Sequence, residues 1–170
     1  MKKIVILCSV LMAAAALFVI AAEEKKPDAH AKSASAATEH QIMAPSDLKW
    51  GEMPPGLPAG AKMAVLSGDP TKAGPFTVRM QASAGYKIFP HTHPTPERLT
   101  VISGTFRLGM GDKFDEAATQ EMGPGSYITL PPGMTHFVAL TSESIVQIDS
   151  EGPFQIKYVN PADDPRNTKK

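Results

Sequence analysis

Residues 85–104 read GYKIFPHTHPTPERLTVISG, and residues 125–140 read GSYITLPPGMTHFVAL. In the first stretch His91 and His93 stand two apart, so on a strand both imidazoles project from the same side. Glu97 follows four residues later. Pro94 and Pro96 bend the chain between them, which lets the carboxylate return at the start of the next strand. In the second stretch Pro131, Pro132 and Gly133 turn the chain ahead of His136. Three imidazole nitrogens and one carboxylate oxygen converging on a point make a transition-metal site that leaves coordination positions open. The competing reading, three separately hydrogen-bonded interior histidines, is simpler for any one of them. It has to be invoked three times here, because the globular part of the chain has no other histidine.

Outward from these stretches the chain is a succession of short alternating runs bounded by turn residues. Strands are expected over 61–66, 76–82, 86–89, 98–102, 105–110, 127–130, 137–140, 145–149 and 154–159, with one helical turn near 115–119. Glycines punctuate the runs, and Gly104 and Gly133 fall where a tight turn needs positive φ. There are 13 glycines and 16 prolines, and 42% of residues are hydrophobic. The pattern is all-β, a sandwich or barrel.

The two stretches resemble the two motifs of the cupin superfamily in composition and spacing. Gly85, His91, His93, Glu97 and Gly104 match the first motif. Gly125, Pro131, Gly133 and His136 match the second. The resemblance implies an antiparallel jelly-roll β-barrel over about 61–160, with one divalent metal ion (zinc, copper, manganese, iron or nickel) held inside by His91, His93, Glu97 and His136. It also implies that Glu97 can act as a catalytic base. The second motif often ends in Asn where this chain has Leu140; that position is not a ligand in the family. Zinc or copper is expected on purification without added metal, from the affinity order of such sites. By strand alternation Phe89, Val138 and Leu140 join the histidines inside, and Leu99, Val101, Phe106, Leu108 and Met110 are further lining candidates. Arg79, Gln81, Tyr127 and Gln147 are polar strand residues that could also face the cavity.

The N-terminal part reads differently. Lys2 and Lys3 precede an apolar run from Ile4 to Ala22, and Glu23 and Glu24 follow. This is the pattern of a secretory signal peptide over 1–22, with an uncleaved anchor as the alternative. The lysine pair is not a twin-arginine signal, so export of the unfolded chain to the periplasm or beyond is expected. Cys8, the single cysteine, lies inside that run, so the mature chain has no disulfide and no thiolate ligand. Residues 23–42 read as a flexible linker in which His30 and His40 are solvated. Residues 43–60, with four prolines and Trp50, read as an extended arm, and 161–170 as a loose tail.

Lys plus Arg and Asp plus Glu both total 17, so the net charge is zero and a nucleic-acid partner is disfavoured. The partner expected is a small molecule, bound by a metal-dependent enzyme of oxygenase or lyase type or by a non-catalytic periplasmic binder. A homodimer is open.

Overall fold

The computed structural model describes residues 40–167. The expected signal peptide, most of the linker and the last three residues of the tail lie outside the described residues. Of the described residues, 41–167 belong to one compact unit. Eleven strands run β1 (Gly51–Glu52), β2 (Ala61–Ser67), β3 (Gly74–Ala82), β4 (Lys87–Thr92), β5 (Glu97–Ser103), β6 (Phe106–Met110), β7 (Gln120–Met122), β8 (Tyr127–Leu130), β9 (His136–Leu140), β10 (Ser144–Gly152) and β11 (Lys157–Tyr158). They make two antiparallel sheets, ordered β1-β2-β3-β10-β5-β8 and β11-β4-β9-β6-β7.

The sheets face each other, and alternate side chains fill the space between them. In β10, Ser144, Val146, Ile148 and Ser150 are buried while the intervening residues are half-buried. Phe76, Val78 and Met80 of β3 and Leu99 and Val101 of β5 complete one inner face; Ile88, Phe106, Leu108, Val138 and Leu140 supply the other. The jelly-roll reading holds, but the expected barrel is not closed. Among the described residues no hydrogen-bonded strand pairing joins the two sheets, and β8 and β7 are left as free edges. The run 154–159 forms a strand only at Lys157–Tyr158, because Pro153 and the segment after it leave the sheet. The short strand β7 has too little apolar alternation for its sequence to announce it.

Strand β9 departs from simple alternation: all five of its residues are buried. It is the middle strand of its sheet, and its outer face is covered too. The Phe114 ring lies 5.1 Å from that of Phe137. Lys87 sits 5.4 Å above the Phe114 ring and pairs with Glu116 at 2.7 Å. The segment between β6 and β7 therefore folds over the outside of β9 and makes a second, small apolar layer.

The arm before β2 is tied down at two points. The Tyr86 hydroxyl donates to the Pro58 carbonyl at 2.9 Å, and the Tyr158 hydroxyl donates to the Gly56 carbonyl at 2.8 Å. Burial pushes the Tyr86 hydroxyl up to about 12, so it stays a donor at any ordinary pH. Trp50 is half-buried.

Candidate metal centre

His91 is the next-to-last residue of β4, Glu97 opens β5 and His136 opens β9, and β4 and β9 pair with His91 opposite His136. His93 lies just past β4. Its carbonyl accepts from the Gly133 N–H at 2.8 Å, so the turn carrying the second motif is fastened directly to the first. The bend at Pro94 to Pro96 is held from β10: the Ser150 hydroxyl donates to the Pro96 carbonyl at 2.7 Å. These contacts bring the four residues named from the sequence to one place, each of them buried.

The orientation of the rings is set from behind. Nδ1 of His91 bonds the Phe89 carbonyl at 2.8 Å, Nδ1 of His93 the Gln155 carbonyl at 2.7 Å, and Nδ1 of His136 the Met134 carbonyl at 3.0 Å. A carbonyl only accepts, so each Nδ1 carries a proton, and in the neutral ring Nε2 is then the atom with the lone pair. One ligand atom from each histidine lies within 4.8 Å of the others. Glu97 joins this trio along one side, with Oε2 3.6 Å from Nε2 of His93 and 3.4 Å from Nε2 of His136.

Two of the three rings sit where protonation is disfavoured. Burial, reinforced by the neighbouring His136 and His93, holds the His91 imidazole well below its usual protonation range. Burial also lowers His93, against the opposing pull of Glu97 and the Gln155 carbonyl. Oε2 of Glu97 is fully enclosed and has no hydrogen-bond partner. A buried oxygen facing nitrogen lone pairs is costly unless something positive stands between them. A divalent cation fits this donor set: imidazole nitrogens and a carboxylate oxygen gathered at this spacing are the usual protein ligands of a transition metal. The residues present therefore suit the metal that the motifs imply.

The depressed imidazoles have a consequence for the protein stripped of metal by a chelator. Below pH 6.5, the usual imidazole value, the unfolded chain binds protons that folded His91 and His93 refuse. Stability is then full above that value and falls as pH drops through it. Calorimetry on the stripped protein is expected to give a level thermal midpoint above about pH 7.5 and a declining one below about pH 6.5. A midpoint that stays level into the acid range would contradict neutral buried rings.

A cavity of about 30 Å³ sits at the cluster, lined by the four polar residues and by apolar side chains from both sheets, among them Ile88, Leu99, Phe106 and Val138. Of the lining expected from sequence, Leu99, Phe106 and Val138 are in place, Val101, Leu108 and Leu140 are buried in the core without lining the cavity, and Phe89 and Met110 point away from it. A bulge between Ile88 and His91 breaks the alternation of β4. Phe89 is turned outward against Phe114, and Met110 is half exposed. Arg79, Gln81, Tyr127 and Gln147 do not line the cavity either. Sequence reasoning missed Phe154, whose ring stacks on His93 with centroids 4.5 Å apart and planes 15° from parallel. No local pattern signals a residue that reaches the site from beyond the last long strand.

The comparisons agree with this fold. The family model described as a domain of unknown function (DUF4437) matches residues 26–170. No curated protein matches. Among solved structures, the polyketide cyclase RemF from Streptomyces resistomycificus is similar over 74% of this chain and 89% of its own, with TM-score 0.60 and 19% identity. An RmlC-like cupin from Shewanella frigidimarina covers 66% of this chain and 90% of its own, with TM-score 0.51 and 14% identity. The DMSP lyase DddQ from Ruegeria pomeroyi covers 68% of this chain and 63% of its own, with TM-score 0.53 and 16% identity. Likenesses at such identity carry the fold and not the chemistry. The chain belongs to the DUF4437 family, and its fold is that of the cupins.

Proposed function

We propose that this protein is an exported cupin that holds one divalent transition-metal ion through Nε2 of His91, His93 and His136 and the carboxylate of Glu97, and uses it as an enzyme on a small organic molecule. The observation that carries the reading is the set of three imidazoles, each fixed by a carbonyl behind it, around a buried carboxylate oxygen without a partner. Such a metal would supply Lewis acidity toward a substrate oxygen. The protein's own part is narrower. The apolar side chains around the cluster keep water out. Glu97 is the one carboxylate lining the small cavity, so it is the group able to take a proton from a bound substrate. No second acid or base lines that cavity, which favours oxygenase-like or lyase-like reactions over those needing a separate proton donor. The same shortage supports the other reading, a periplasmic binder of an apolar small molecule.

The test is elemental analysis of the mature protein, taken from the periplasm without added metal. About one equivalent of a single transition metal is expected, lost to a chelator and restored on reloading. Glu97→Gln is expected to weaken the metal, and to raise the thermal midpoint of the stripped protein. Its amide can donate where the carboxylate oxygen had no partner, and relieving such a group is worth roughly 1–3 kcal/mol. Folded protein that stays empty when offered zinc, copper, manganese, iron and nickel in turn would end the metal reading. Absence from the periplasm would end the export reading.

A further inference from the structure

Beside the small cavity at the histidines lies a much larger one of about 400 Å³. It shares Leu57, His93, Ile148 and Phe154 with the small cavity, so the two meet at the metal centre's edge. Its inner wall is the face of β3 and β10, with Phe76, Val78 and Ile148. Its outer walls are not sheet: the arm contributes Met53, Pro54 and Pro55, and the segment after β10 contributes Pro153, Gln155 and Ile156. Met53, Leu57, Met63, Phe154 and Ile156 pack against the core but are only partly buried, which is how side chains look around a space left unfilled. An apolar cavity costs stability in proportion to its volume. It also offers water too few partners to hold it in an ordered way. Its size falls in the range of small-molecule sites.

Charge narrows the occupant. Arg166 is the one cationic side chain on the lining, and its charge is already met. Nε and Nη2 donate to the two carboxylate oxygens of Asp164 at 2.8 and 2.7 Å, and Nη2 also donates to the Ile156 carbonyl at 3.0 Å. The guanidinium serves as a brace for the rim and leaves no net charge for an anionic ligand to neutralise. Phe76 and Phe154 meet edge to face at 5.3 Å, and Phe154 continues the stack onto His93, so an aromatic path leads from the chamber to the centre.

We infer that this chamber is the ligand site, and that it takes an uncharged, largely apolar organic molecule of one to three rings, entered past Phe154 toward the histidines. The inference rests on the reading of the protein as acting on a small organic molecule, and it specifies which class.

Two fluorescent probes with one ring skeleton test it: uncharged N-phenyl-1-naphthylamine and its sulfonated analogue 1-anilinonaphthalene-8-sulfonate. The full mature protein is expected to bind the uncharged probe saturably, one per chain, and the sulfonate at least about 10-fold more weakly. Met63→Trp and Ile156→Trp, each filling the chamber from a different wall, are expected to weaken the uncharged probe at least about 10-fold while metal content and circular dichroism stay as in the wild type. Asp164→Asn, which frees the charge on Arg166, is expected to narrow the gap between the probes. Met110→Trp, in the separate groove at the free sheet edges, is expected to change nothing. Probe binding that is absent, that survives both filling variants or that is lost in Met110→Trp overturns the chamber as the site. Tighter binding of the sulfonate by the wild type overturns the uncharged class. Each result is read beside metal content, so a protein that loads metal but fails these tests refutes the chamber alone. One that passes them without taking up metal refutes the metal alone.

Discussion

His136→Ala is expected to leave a folded protein that no longer holds metal. Of the four proposed ligands, His136 has the most structure behind it. It opens β9, pairs across to His91 on one side and to Met110 on the other, and is 2% exposed. Its Nε2 also gives Glu97 its nearest neighbour in the cluster, at 3.4 Å. Removing the ring takes away one donor of four and leaves Glu97 facing a void. Disturbing only a group behind a metal ligand costs about 10–100-fold in affinity, so loss of the ligand itself should exceed about 100-fold. Elemental analysis after gel filtration should find less than about a tenth of an equivalent, and the rise in thermal midpoint that metal confers on the wild type should vanish. His40→Ala, at an exposed position in the same chain, should change neither. Stoichiometric metal retained by His136→Ala would move the site elsewhere.

Gly109→Ala is expected to be among the most damaging single substitutions outside the cluster. A Cβ at position 109 would overlap Cζ and Cε2 of Phe137. The Phe137 ring has no exposed surface and lies under Phe114, so it cannot swing clear. Either β6 and β9 part or the outer layer lifts. Overpacking of this kind costs about 1–3 kcal/mol where the surroundings can yield; with β9 buried on both faces the upper end, about 3 kcal/mol, is expected. Denaturant titration measures it. Phe137→Leu on the same background should recover much of the loss, because the shorter side chain vacates the space the methyl needs. An equal loss in single and double variants would show that the ring is not what Gly109 makes room for.

The cluster was readable because its information is local. His91, His93 and Glu97 lie within seven residues, and a turn rich in proline and glycine places His136. The positions of β3, β5 and β10 were legible for the same reason, although the polar Arg79, Gln81 and Gln147 on β3 and β10 do not face the cavity. What escaped reading depends on contacts distant in sequence. The bulge that turns Phe89 outward is set by the register against β9, not by anything within β4. Phe137 looks like a surface residue of an alternating strand until Phe114 is laid over it. The chamber joins residues near 55 to residues near 155, and no window along the chain contains both. Closure of the sheets fails at β7 and β8, whose edges carry no sequence mark of being unpaired.

The two tyrosine bonds to the arm separate inheritance of the centre from inheritance of the chamber. All four residues of the proposed metal site fall between positions 91 and 136, whereas the outer walls of the chamber come from the chain's two flanks, joined by a Tyr158 hydroxyl reaching back 102 residues to Gly56. Substitution, lengthening or exchange of the flanking segments can reshape the space beside the histidines without moving a ligand. New flanking walls could then change what the chamber accepts while the histidine cluster stays as it is, with the Pro58 and Gly56 carbonyls as the points where this chain fastens its own arm.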